Sequence, residues 1–234
     1  MKVVILCGGK GMRAFPLTEV VPKPMVPIGG TPILVHLMQL FADQGYRDFV
    51  LAAGHQQVVI QRYFANPPDG WQVDVVDTGP ETDTGERLRQ CRERLGERFF
   101  VTYGDGLCDV ALDRLLALHS SHGGVVTVTA VPLACQFGLL EIAASGRIES
   151  FQEKPVLRDH WINAGFMVMD RAAFDRWEGT NLEREVLPRL AATGHAWAFP
   201  HDGFFKSLDT LKDQEEFERL LAEGQTPWRR LPHI

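Results

Sequence analysis

A continuous apolar run at residues 3–6, Val3-Val4-Ile5-Leu6, opens the chain and predicts a strand buried on both faces. Three glycines in four positions follow, at Gly8, Gly9 and Gly11. Thr31-Pro32 then has the form of an N-cap with proline at the first helical position. Ile33, Leu34, Leu37, Met38 and Phe41 recur on one helical face, and Gly45 ends that helix. The pattern next predicts a strand over 48–53, a short helix over 58–64, a turn over 66–70 and an alternating strand over 71–76. A helix over 84–95, a buried strand over 99–103, a helix over 112–119 and a strongly β-branched strand over 125–131 continue the series. Strands alternating with helices of this length predict βαβ units and a mostly parallel sheet.

From about Phe137 the pattern changes. Short strands over 139–142 and 147–152 meet at Ser145-Gly146, a hairpin signal. A strand over 162–169 follows. Thr180 and Glu183 have capping-box spacing before Val186, Leu187 and Leu190. A strand over 196–199 precedes a last helix opened by Thr210 and Asp213, with Leu211, Phe217, Leu220 and Leu221 predicted inward. The tail from Gly224 reads as polar and proline-broken. The expected fold class is α/β: a Rossmann-like, mixed, mostly parallel sheet flanked by helices, with a smaller antiparallel part in the C-terminal half. A single domain over 1–234 is expected, with a nucleotide-binding half over 1–135 and a second half over 136–234.

Composition narrows the function. The 234 residues, 45% hydrophobic and 23% charged, suffice for a full core. A formal net charge of −6 argues against nucleic acid as a partner, which asks for a basic surface. The four cysteines are scattered without a C-x-x-C pair and read as free thiols in a reducing compartment. No apolar run is long enough to span a bilayer and no signal stretch opens the chain, so a cytoplasmic protein without membrane contact is expected.

The candidate chemistry lies at strand ends. A strand running into Gly8-Gly9-Lys10-Gly11-Met12-Arg13 offers backbone N–H groups to an anion, and Arg13 and Lys23 add positive charge. By itself the loop reads equally as a tight turn with surface charges. Gly9-x-Gly11-x-x-Ala14 formally fits a dinucleotide fingerprint, but Pro16, Pro22, Pro24 and Pro27 should hold the chain extended where that fingerprint needs a helix. The second strand ends in Ala53-Gly54-His55, with no acid for a ribose hydroxyl. Gly104-Asp105-Gly106 shifts the balance toward phosphate, because a carboxylate at the end of a buried strand suits Mg²⁺ beside phosphate oxygens. Asp209 is a second carboxylate at a strand-to-helix junction, available for metal if Thr210 and Asp213 form the cap. Glu153-Lys154-Pro155 ends the hairpin, and Asn163-Ala164-Gly165 places one polar group in an apolar strand. The eight histidines show no metal-ligand spacing with cysteine.

Together and in this order these segments resemble the sugar-1-phosphate nucleotidyltransferases. Gly8 to Arg13 looks like that family's G-G-x-G-T-R loop, and Lys23-Pro24-Met25 matches its K-P-M segment. Gly104-Asp105-Gly106, Glu153-Lys154-Pro155 and Asn163-Ala164-Gly165-Phe166 match later motifs. The branch most resembled is that of the glucose-1-phosphate cytidylyltransferases, through Val76-Asp77-Thr78-Gly79, Thr84-Gly85, Thr102-Tyr103-Gly104 and Leu208-Asp209-Thr210. Three departures stand out. Met12 replaces the loop threonine, Glu86 replaces a second glycine after Gly85, and a short 66–71 connection replaces a long insertion tied to subunit contacts and nucleotide binding in the branch.

The resemblance implies a Mg²⁺-dependent condensation of a nucleoside triphosphate with a sugar 1-phosphate, CTP and α-D-glucose 1-phosphate in this branch, giving CDP-glucose and pyrophosphate. Arg13, Lys23 and Asp105 are then catalytic. Leu6, Gly8, Gly9, Gly11, Met12, Arg13, Lys23, Thr84, Gly85, Gly104 and Asp105 bind the nucleotide. Gly138, Glu153, Lys154, Asn163 and Gly165 seat the sugar phosphate, and Asp105 and Asp209 hold Mg²⁺. A homo-oligomer is left open. So are another base, a modified-sugar or cyclitol phosphate, and a catalytically silent regulatory subunit, although retention of Arg13, Lys23, Asp105 and Asp209 favours an enzyme.

Overall fold

In the computed structural model, residues 1–229 are described, apart from the side chain of Arg13. The strands and α-helices follow in the order β1 (Lys2–Cys7), β2 (Pro27–Ile28), β3 (Thr31–Pro32), α1 (Ile33–Asp43), β4 (Asp48–Ala53), α2 (Gln57–Tyr63), β5 (Gln72–Asp77) and α3 (Thr84–Gln90). Then come β6 (Arg98–Tyr103), β7 (Gly106–Cys108), α4 (Leu112–Ser120), β8 (Val126–Ala134), β9 (Leu139–Ile142), β10 (Ile148–Gln152), β11 (Val156–Asp170), α5 (Leu187–Ala192), β12 (Ala196–Pro200), β13 (Phe205–Ser207) and α6 (Leu211–Ala222).

A seven-stranded sheet in the order β12-β8-β11-β6-β1-β4-β5 forms the centre. β1 runs parallel to β4 and β6, β4 to β5, and β12 to β8, while β11 runs antiparallel to both β6 and β8. The alternation within β1 explains why the sheet is covered on both faces. Val3, Ile5 and Cys7 join a core with α1, α4 and α6, whereas Val4 and Leu6 join a second core with Leu88 of α3 and Leu190 of α5. Each fully buried side chain of this kind contributes roughly 1.5–3 kcal/mol. The β9–β10 hairpin is a separate two-stranded sheet, and β7 pairs with β13 in another. Among the described residues no helix is long and apolar enough to cross a membrane.

Several local expectations change. Thr31 and Pro32 do not open α1; they pair with β2, because Gly29 and Gly30, both at positive φ, reverse the chain there. The helix begins at Ile33, whose N–H donates to the Val26 carbonyl at 3.0 Å. The proline segment is not extended throughout but contains short 3-10 turns at Met12–Ala14 and Lys23–Met25, and no α-helix opens in the glycine run. Thr180 and Glu183 form no capping box. Asn181 accepts the Arg184 N–H instead, and a π turn over Leu182–Val186 leads into α5. The box at Thr210 and Asp213 does form, although Leu211 is exposed and Phe217 is the residue that α6 buries. The tail is not wholly polar: Trp228 packs against Phe204, Phe217 and His36.

Candidate active site

β1 and β6 are neighbours in register, Leu6 beside Tyr103, so the glycine loop and Gly104-Asp105 emerge together at their carboxyl ends. That edge of an open α/β sheet is where ligands bind. A cleft of about 800 Å³ lies there. The loop's shape is tied down from behind by Arg87 of α3, a residue only 3% exposed. Its N–H groups donate to the carbonyls of Gly8 (3.0 Å), Gly79 (2.7 Å) and Pro80 (3.3 Å) and to Thr78 Oγ1 (2.6 Å). A Cβ on Gly8 would sit 2.1 Å from this guanidinium, so position 8 must be glycine for the tie to exist. Gly11 takes φ +63°, and a Cβ there would press on Lys23 at 2.9 Å. Burial works to lower the Arg87 pKa, yet its carbonyl partners keep the charge satisfied.

Lys23 is the centre of the cleft floor. Its Nζ donates to Asp105 Oδ2 at 2.5 Å and to Asp209 Oδ1 at 2.9 Å. Burial opposes the charge on Lys23, but the two carboxylates outweigh it and raise its pKa above the ordinary lysine value. The pairing of β13 with β7 brings Asp209 to this place: Ser207 lies opposite Gly106, and the Leu208 N–H donates to the Asp105 carbonyl at 2.8 Å. Thr210 and Asp213 supply the cap of α6, so Asp209 is not needed for that task; Ser207 Oγ donates to its Oδ2 at 2.7 Å. The two carboxylates already flank one cation. Hard oxygen donors in such a pair suit Mg²⁺, so the residues present fit that ion. Cys7, also on the wall, is fully buried and its thiol is pushed up to about 12, which leaves it protonated and unreactive at neutral pH.

A polar group on the opposite wall escaped the sequence reading. Glu183 accepts hydrogen bonds from Tyr103 Oη and from Thr84 Oγ1, the latter at 2.6 Å. Its place in an apparent capping box absorbed the only local signal it carries. Arg87 carries none, because a helical arginine is ordinarily solvated. His201 also lies beside Cys108 and Asp109, its Nε2 2.7 Å from Asp109 Oδ1, a grouping that spacing along the chain does not reveal.

Leu6, Gly8, Gly9, Gly11, Met12, Lys23, Thr84, Gly104, Asp105, Asn163 and Asp209 all line the cleft. Gly85 does not; it packs where a Cβ would meet the Thr180 carbonyl at 2.8 Å. Gly165, at φ +82°, lies against the Tyr103 ring. Gly138, Glu153 and Lys154 gather on the hairpin, away from the cleft lining, with Glu153 and Lys154 paired at 3.7 Å. The Arg13 backbone lies in the Met12–Ala14 turn, and its side chain lies outside the described residues.

Residues 2–195 match the profile of the family described as nucleotidyl transferase. The chain is 38% identical to the glucose-1-phosphate cytidylyltransferase of Salmonella typhimurium, covering 98% of this chain and 99% of the relative. It is 34% identical to a probable glucose-1-phosphate cytidylyltransferase of Bacillus subtilis, over 98% and 99% of the two chains. The Salmonella alignment spans 255 positions against 234 residues here, so that relative carries residues this chain lacks. Among solved structures, HddC from Yersinia pseudotuberculosis complexed with GMP-PN superposes with a TM-score of 0.74 at 25% identity, covering 94% of this chain and 99% of that one.

Proposed function

The chain belongs to the nucleotidyl transferase family, and from that premise we propose that it condenses CTP with α-D-glucose 1-phosphate, releasing CDP-glucose and pyrophosphate. The observation that carries this reading is Lys23 held between Asp105 and Asp209 beneath the glycine loop. The names of the relatives above supply the base and the sugar.

A phosphate monoester has a second pKa of about 6, so the sugar phosphate is already an anionic nucleophile at neutral pH. No general base is needed, which agrees with a cleft whose cysteine is inert. A phosphate oxygen of the sugar phosphate attacks the α-phosphorus of CTP and pyrophosphate leaves in line. Such transfers are accelerated mainly by positioning and charge neutralisation. Backbone N–H groups at Gly8, Gly9 and Gly11 receive the triphosphate. Lys23 neutralises the charge that develops around the α-phosphate, and the resemblance assigns Arg13 to the departing pyrophosphate. Asp105 and Asp209 would hold Mg²⁺, which when bound polarises the α-phosphate and offsets its charge. Thr84 borders the base, and Asn163 with the hairpin residues Gly138, Glu153 and Lys154 seats the sugar phosphate.

The test is pyrophosphate release across a matrix of CTP, UTP, dTTP, GTP and ATP against several sugar 1-phosphates. The expected result is the highest kcat/KM with CTP and glucose 1-phosphate. A higher value for another pair would replace the assigned substrates while leaving the family in place.

A further inference from the structure

We infer that Glu183 helps select the base, by fixing which way the hydroxyl protons of Thr84 and Tyr103 point. Glu183 lies in the π turn over Leu182–Val186, an irregular turn frequent at functional sites, and Glu183, Thr84 and Tyr103 all line the cleft. An ionised carboxylate only accepts hydrogen bonds, and a hydroxyl has one proton and two lone pairs. The Thr84 proton is committed to Glu183, and Thr84 Oγ1 also accepts the Leu182 N–H at 3.0 Å. The side chain of Thr84 therefore keeps, among the described residues, a single lone pair for a ligand. Tyr103 Oη likewise commits its proton to Glu183, which leaves its oxygen with acceptor capacity alone. Asn163, on the same wall, accepts the Gly165 N–H at its Oδ1 at 2.7 Å.

Toward a ligand, Thr84 Oγ1 and Tyr103 Oη thus accept hydrogen bonds and donate none. Cytosine carries an N4 amino donor where uracil and thymine carry an O4 acceptor. An acceptor wall pairs with the former and sets lone pair against lone pair with the latter. Sugar hydroxyls both donate and accept, so the same device does not sort sugars. The inference rests on the reading that a cytidine nucleotide occupies the cleft with its base beside Thr84.

The experiment compares kcat/KM for CTP and for UTP, at fixed glucose 1-phosphate, in the wild type, Glu183→Gln, Thr84→Val and Thr84→Ser. Glutamine places an N–H donor where a carboxylate oxygen stood, which forces one hydroxyl to accept and frees its proton toward the cleft. The CTP/UTP ratio should fall about tenfold, the worth of one hydrogen bond. Thr84→Val should lower the ratio by a similar factor, and Thr84→Ser should keep it. A purely structural role for Glu183 would weaken both nucleotides alike and leave the ratio unmoved. If Glu183→Gln does not fold, the two Thr84 variants decide. An unchanged ratio in Thr84→Val, or an equal fall in Thr84→Ser, overturns the inference while a wild-type CTP preference keeps the substrate reading. A wild type without CTP preference overturns both.

Discussion

Beneath the glycine loop Lys23 and Arg87 are buried and each answers several partners, whereas on the β9–β10 hairpin the residues expected to seat the sugar phosphate stand in solvent. Arg87 and Lys23 are 3% and 7% exposed. The side chains of Glu153 and Lys154 are 62% and 55% exposed, and the hairpin also shows Ile142, Ile148 and Phe151 to water. A two-stranded ribbon is marginal in water without a sheet or helix to pack on. The difference teaches where preorganisation is built into this fold. Burying a charge costs several kcal/mol, and that cost is offset only where the surrounding chain can pair it fully. The seven-stranded sheet and its loops can do so for the phosphate centre. The hairpin, a separate two-stranded sheet with its charged side chains in solvent, does not.

The comparison can be broken first at its strong end. Chelation of divalent cations should abolish pyrophosphate release, and Mg²⁺ should restore it; release that survives EDTA would separate Asp105 and Asp209 from any metal role. Lys23→Ala should lower kcat by on the order of 10²–10³, by analogy with the loss of one transition-state donor. Unchanged turnover in that variant would remove Lys23 from the mechanism. Arg87→Met should destabilise the protein by about 3 kcal/mol, since several buried carbonyls lose their donor at once. Denaturant midpoints measure this, and a shift no larger than that of a surface substitution would show that the loop holds itself. At the weak end, Glu153→Ala should leave stability within about 0.5 kcal/mol while raising KM for the sugar phosphate roughly tenfold. A large stability loss there would mean that the hairpin is as firmly built as the centre.

The smallest effect is a pH dependence. The folded-state pKa of Lys23 lies above its ordinary value of 10.5, so the stability its ion pairs contribute is fully present below that pH and lost as pH rises through the raised value. Lys206, raised by Asp213 and Glu216, adds to the same alkaline limb, so the limb should be equal in the wild type and in Glu153→Ala and shallower in Lys23→Ala.

Much of this architecture is legible along the chain. The β1 run, the α1 stripe through Ile33, Leu37 and Phe41, the turn chemistry from Asn66 to Gly70 and the hairpin at Ser145-Gly146 all rest on interactions within a few residues. The glycine loop, Lys23 and Asp105 stand out for the same reason. The candidate site was readable where it sits at strand ends. It was not readable where a helix side chain, Arg87, turns inward instead of out to solvent.

Two matching patterns mark the boundary. Thr180 with Glu183 and Thr210 with Asp213 have the same spacing and the same local promise of a capping box. At Thr210 the box forms. At Thr180 the Glu183 carboxylate is drawn instead to Tyr103 and Thr84, positions 80 and 99 residues away in sequence. Hydrogen bonds to an ionised acceptor outcompete an exposed local cap when the fold delivers such donors. The meeting of Lys23 with Asp209, 186 residues apart, has the same origin, since it depends on β13 pairing with β7. Most of the sheet strands and helices, their order and the phosphate loop follow from the chain alone, because periodicity and turn chemistry act at short range; the short β2–β3 and β7 pairings do not. Which carboxylates flank Lys23, which arginine holds the loop and which way the hydroxyls of the opposite wall point are settled by the assembled fold, because each depends on partners that become neighbours only when the sheet is formed.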